Sequence, residues 1–155
     1  MTLAFSLLLL AINPPSRDEL ASFIAGVEKT PDVVNGQPLM RVAREEGQIV
    51  WVRLDGMKLA PDDFRLLGSI PTLRRLSFYR TNVTDKDLAH LRGLTKLEGI
   101  VLTNTEVTDK AIDELNHLPA LRSCCLGNVQ ITPAGIEKLK EQFPKLSLGY
   151  SQRKN

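Results

Sequence analysis

Apolar residues recur along this chain on a single step of 24 residues. Leu73, Leu97 and Leu121 form one column, and Leu76, Ile100 and Cys124 form the next. Phe78, Leu102 and Leu126 keep the same step, as do Val83, Val107 and Ile131. So do Leu88, Ile112 and Ile136, and then Leu91, Leu115 and Leu139. A more divergent unit precedes these three, carrying Ile49, Val52, Leu54, Leu59, Phe64, Leu67 and Ile70. Self-similarity at such a period marks a stacked repeat. Inside each unit the pattern changes. Leu76-Ser77-Phe78 alternates apolar and polar, which predicts a half-buried strand. Leu88, Leu91 and Leu94 recur every third residue, which predicts a short helix or 3-10 segment packed on one side. One strand and one short helix cannot bury an apolar side alone, so the four units must share a continuous core.

The polar columns place the helix starts. Thr84, Thr108 and Thr132 stand where an N-cap hydroxyl accepts from an unpaired backbone N–H. The next column holds Pro61, Asp85, Asp109 and Pro133. Pro has no N–H to lose at a first helical position, and Asp suits the positive end of the helix dipole. Ahead of the repeats, Ser16-Arg17-Asp18-Glu19 is a capping box for a helix over Leu20, Phe23, Ile24 and Val27. A strand over Leu39 to Ala43, a turn at Glu45 to Gln48 and the strand Ile49 to Leu54 make a hairpin. The chain therefore divides into an N-terminal segment 1–15, a helix/hairpin cap 16–48, repeats with a terminal strand over 49–148, and a polar tail 149–155.

The run Leu73-x-x-Leu76-x-Phe78-x-x-Thr81-x-Val83-Thr84-Asp85-x-x-Leu88-x-x-Leu91 resembles the leucine-rich repeat. Its Val-Thr-Asp signature looks most like short bacterial members and, more distantly, like the cysteine-containing repeats of F-box proteins. The resemblance covers about residues 49 to 148. It implies an α/β solenoid: a right-handed coil with a concave parallel sheet, short convex helices and recognition by exposed strand residues. Thr81, Thr105 and Val129 stand where many such repeats carry Asn, so the usual side-chain ladder is not expected whole, and Thr could make only part of it.

Composition narrows the function. A chain of 155 residues with 43% hydrophobic and 25% charged residues suits one soluble domain. The net charge is only +2. Nucleic-acid binding usually needs a basic stripe, and Arg74, Arg75, Arg80 and Arg153-Lys154 are explained as well by a solvated surface. Cys124 and Cys125 are adjacent, so on a strand they face opposite ways and cannot readily bridge. Leu3 to Ile12 is apolar except for Ser6, too short to span a membrane but long enough for a leader core. Either it is an export leader clipped by a wrong start codon, or it is a buried segment of the domain. Localisation stays open between the envelope and the cytoplasm.

No set of residues converges for catalysis. His90 and His117 belong to the helical half of their units and Cys125 to the strand half, so they cannot pair. Asp62-Asp63 and Asp85-Lys86-Asp87 sit at helix starts and lack the alternating oxygens of a calcium loop. Separated zinc-ligand pairs and phosphate-binding glycine loops are missing too. The expectation is no enzyme, no metal and no cofactor. Outward strand residues are another matter. They are Trp51, Arg53 and Asp55; Arg75, Ser77 and Tyr79; Gly99, Val101 and Thr103; and Ser123, Cys125 and Gly127. Trp, Tyr and Arg are the types enriched at interface hot spots. The expected partner-binding set is Trp51, Arg53, Asp55, Arg75, Ser77, Tyr79, Val101 and Thr103. A plainer reading puts Trp51 under the N-terminal cap with Arg75 stacked on it.

The favoured function is a protein-interaction module or scaffold with an unknown protein partner, taking neither nucleic acid nor a small-molecule substrate. A structural protein with an N-terminal envelope anchor is the alternative, and an adaptor in protein turnover, by F-box analogy, is a third.

Overall fold

A computed structural model describes residues 40–152 without a break, together with Ser22, Ala25, Val33–Val34 and Gln37–Pro38. Ser22 and Ala25 are helical. The rest of the expected cap helix and the Leu3 to Ile12 stretch lie outside the described residues. Strands β1 (Val33–Val34) and β2 (Gln37–Pro38) form a small antiparallel pair.

Strands β3 (Met40–Glu45) and β4 (Gln48–Asp55) make the expected hairpin. The turn is tighter than the sequence suggests: only Glu46 and Gly47 lie between the strands, with φ of 51° and 79°. Two successive left-handed residues twist in the sense of the flanking strands, which favours this turn in hairpins. After β4 the chain alternates helix and strand. The elements are α1 (Pro61–Gly68), β5 (Arg75–Tyr79), α2 (Asp85–Leu88) and β6 (Gly99–Thr103). Then come α3 (Ala111–Leu115), β7 (Ser123–Val129), α4 (Pro133–Gln142) and β8 (Ser147–Gln152). A 3-10 turn at Ala89–Leu91 continues α2, as the three-residue spacing of leucines requires.

The result is a mixed α/β arrangement with one six-stranded sheet in the order β3-β4-β5-β6-β7-β8. From β4 onward all neighbours are parallel. The register advances by the sequence period: Val52, Leu76, Ile100, Cys124 and Leu148 lie side by side, and so do Leu54, Phe78, Leu102, Leu126 and Tyr150. Through β7 these two inward columns are buried, and they join the helix leucines in one core. Phe64 of α1 meets Phe78 of β5 with ring centroids 6.1 Å apart. Beside them Gly68 closes α1 against the next unit. A Cβ on Gly68 would lie 1.9 Å from the His90 carbonyl oxygen, so only glycine permits that approach of two backbones.

The last strand differs from expectation. A tail from residue 149 is the sequence reading, yet β8 stays paired with β7 through Gln152. Leu148 and Tyr150 continue the two inward columns and pack against the core, and the Tyr150 hydroxyl donates to the Ile131 carbonyl at 2.9 Å. That side-chain anchor ties β8 to the preceding unit.

The threonine and aspartate columns also act differently. Asp85 accepts from the backbone N–H and the hydroxyl of Thr108 at 2.8 and 2.7 Å. One unit on, Asp109 takes the same two groups of Thr132, both at 2.7 Å. Each aspartate therefore ties its unit to the following one, beyond any dipole effect. Position 61 is Pro, so Thr84 has no such carboxylate behind it, and Asp87 of its own unit takes its N–H and hydroxyl instead. The capping role predicted for the threonine hydroxyls is well formed at Thr132, which accepts from Gly135 N–H at 3.1 Å. Thr108 accepts from Lys110 N–H only at 3.4 Å. The hydroxyls mostly donate. Another clamp joins the first two units: Asn82 accepts from Leu59 N–H and donates to the Leu59 carbonyl.

Among the described residues, Thr81 and Thr105 make no part of such a ladder. Both side chains are buried and neither hydroxyl has a partner. A threonine is one bond shorter than asparagine and carries one donor rather than two, so it reaches fewer partners.

Candidate functional site

Opposite the helices the sheet presents three outward columns. The first runs Trp51, Arg75, Gly99, Ser123 and Ser147. Arg53, Ser77, Val101, Cys125 and Gly149 form the second, and Asp55, Tyr79, Thr103, Gly127 and Ser151 the third. Strand alternation therefore brings the eight candidate residues onto β4, β5 and β6 as neighbours.

Their availability differs. Arg75 is exposed, and Trp51, Arg53, Asp55, Tyr79, Val101 and Thr103 are half-buried. Ser77 faces outward by register yet retains only 7% of its surface. It can floor a site but offers little to grip.

Much of the charge is committed within the protein. The Arg53 guanidinium lies 4.7 Å from the centroid of the Tyr79 ring and 3.4 Å from Asp55. Arg80 approaches the other Asp55 oxygen at 2.7 Å. That contact is off the hydrogen-bonding direction, so charge rather than an aligned bond holds it. Arg74 reaches Glu45 at 3.1 Å. Arg75 makes no ion pair among the described residues.

Arg80 is the functional candidate that sequence reasoning missed at this face. It follows β5 with φ 48°, in a column with Gly56, Asn104 and Asn128 at 70°, 53° and 52°. Gly and Asn tolerate that left-handed conformation far better than Arg does. A column of Gly, Asn and Asn with one Arg was the available signal. Asn128 donates to Asn104 along the same edge. A groove of about 500 Å³ runs beside them, lined among others by Lys58, Arg80, Asn104 and Gln130.

Two further grooves lie along the sheet. One of about 450 Å³ is lined by Arg75, Ser77, Glu98, Gly99, Val101 and Arg122, among others. Another of about 290 Å³ involves Trp51, Arg74, Arg75 and Glu98.

His90 and His117 are exposed, and no group of three or more His, Cys, Asp or Glu among the described residues is placed to hold a metal. Cys124 is buried inward and Cys125 half-buried outward, as the strand period requires. Burial, and to a lesser degree the neighbouring Cys125, pushes the Cys124 thiol up to about 12. The thiolate is the nucleophile, so Cys124 stays unreactive at neutral pH. An alkylating reagent is expected to add once to the folded chain, at Cys125, and twice in denaturant. Intact mass spectrometry checks this, and two rapid additions under native conditions would contradict the burial of Cys124.

Among the described residues no helix is long and apolar enough to cross a membrane. No protein-family model matches the chain, and no curated protein matches it. Solved structures do. An internalin from Listeria monocytogenes superposes with a TM-score of 0.55 at 23% identity, over 91% of this chain and 38% of the internalin chain. The chain thus spans well under half the length of that neighbour, and at this identity the likeness is one of fold. Parallel strands and short helices, in a fold shared with an internalin, make this chain leucine-rich-repeat-like.

Proposed function

We propose that the chain is a non-enzymatic protein-interaction module that engages a partner through the open face of its sheet. Trp51, Arg53, Asp55, Arg75, Ser77, Tyr79, Val101 and Thr103 form the contact surface. One observation carries this reading: Trp51 lies beside Arg75 in register, and Arg75 is exposed with no ion pair among the described residues, while Arg53, Arg74 and Arg80 are all engaged. An aromatic face next to a free guanidinium suits a partner carrying carboxylates and an apolar anchor.

The same reading takes the sheet as the concave side of a right-handed solenoid, with residues 16–48 as its cap and the repeats running to the end of β8. The Val-Thr-Asp signature supports a place among short bacterial repeat proteins. In this reading the aspartate–threonine ties join consecutive units.

Affinity capture on the intact chain identifies the partner, and titration of variants then tests the face. Trp51→Ala and Arg75→Ala are each expected to weaken binding by more than ~1 kcal/mol with unchanged melting, while His90→Ala on the helical side has no effect. Loss of affinity in His90→Ala alone would move the interaction to the helices. A drop in melting temperature in Trp51→Ala without a specific loss of affinity would make Trp51 a cap residue.

A further inference from the structure

Gly99 is a glycine that the fold does not need. It lies within β6, has no left-handed φ, and a Cβ there would meet only the Arg75 Cγ at 3.7 Å and Ser123 atoms at 3.9 Å. Those are ordinary contacts. Elsewhere in the same sheet a glycine has a packing reason: at Gly127 a Cβ would stand 3.0 Å from the Thr103 side chain. Glycine inside a strand weakens it relative to alanine, and often marks a place where another chain approaches closely.

The surroundings of Gly99 say what would approach. It lies in the floor of the 450 Å³ groove, which is also lined by Arg75 at the start of β5 and by Arg122, the residue just before β7. Both are exposed, and neither makes an ion pair among the described residues. Glu98 on the rim is likewise unpaired, so the groove carries two positive charges and one negative. Each guanidinium presents planar donors matched to a carboxylate. The strands they begin or precede, β5 and β7, are two steps apart, about 10 Å, which is about three residues of an extended chain.

Resting on the open-face reading above, we infer that the groove over Gly99 seats an extended acidic segment of a protein partner, with one carboxylate on Arg75 and another on Arg122. The missing Cβ of Gly99 lets the segment's backbone descend between them. Ser77 and Ser123 keep the floor low. Glu98 opposes the acidic segment and limits its affinity.

The probe is a fluorescent, end-capped peptide with Glu at every third position among Gly and Ser, compared with its Gln counterpart by anisotropy on the intact chain. At low ionic strength the Glu peptide is expected to bind at least about tenfold more tightly, an advantage that salt erodes. Arg75→Ala and Arg122→Ala should each weaken it by about fivefold or more, whereas Glu98→Gln should strengthen it. Gly99→Leu should fill the seat and remove binding without lowering the melting temperature. Gly99→Ala, which adds only the unobstructed Cβ, serves if the leucine variant fails to fold. Equal binding of the two peptides overturns the proposal, as does parental affinity in the Arg122 and Gly99 variants. If Trp51→Ala loses the peptide while those variants keep it, the face binds but the seat is elsewhere. If Trp51→Ala keeps it as well, the open-face reading falls too.

Discussion

Truncating Leu102 to alanine is expected to destabilise the protein by about 2–5 kcal/mol, the range for a buried large-to-small change whose cavity cannot collapse. Leu102 lies fully buried in β6, with Phe78 and Leu126 beside it on the flanking strands. It belongs to the middle of a stack in which each unit contacts only its neighbours, so a void there weakens two interfaces at once. A urea titration followed by circular dichroism measures the loss. Val101→Ala, one residue away on the outward face and half-buried, is the control and should cost under about 1 kcal/mol. Equal losses in the two variants would mean that the strand does not alternate as described, because a slip of one residue exchanges the faces.

Asp85→Ala is expected to cost about 1.5–3 kcal/mol, the scale of hydrogen bonds to a charged group. Its carboxylate satisfies two donors on Thr108, the backbone N–H and the hydroxyl. If Asp85 served only the helix dipole, its removal would cost no more than about 0.3–1 kcal/mol and the effect would be screened by salt. The two accounts therefore differ in size and in salt dependence. A double-mutant cycle with Thr108→Val separates them further. A coupling energy near zero would show that the aspartate does not hold the next unit, whereas a direct tie predicts about 0.5 kcal/mol or more. Asp85→Asn keeps one acceptor oxygen and should lose less than Asp85→Ala.

How much of this was legible depends on what kind of residue carries it. The inward columns were readable because burial selects apolar side chains, and a strand shows them every second residue. The 24-residue step then set which residues lie side by side, so Trp51 against Arg75 and Asp55 against Tyr79 followed before any coordinates. β8 was cut short because Tyr150 alone continues the pattern among polar neighbours, and its anchor is the Ile131 carbonyl 19 residues back.

By itself, then, the sequence determined the period, the alternation of strand and short helix, the inward columns and the strand register, since all of these rest on apolar burial repeated at fixed spacing. Only the tertiary structure decided which polar groups meet across units and which outward residues remain free. Asp85 could be recognised as suited to a helix start, but its partner lies 23 residues away in the next unit. Ser77 was outward by register and is still buried, and Arg53 is held by Tyr79 and Asp55 while Arg75 has no ion pair among the described residues. Hydrogen bonds and ion pairs are short-ranged and directional, so their formation turns on side-chain length and approach angle at a particular site. Hydrophobic burial is non-directional and summed over area, which is why a pattern along the chain records it.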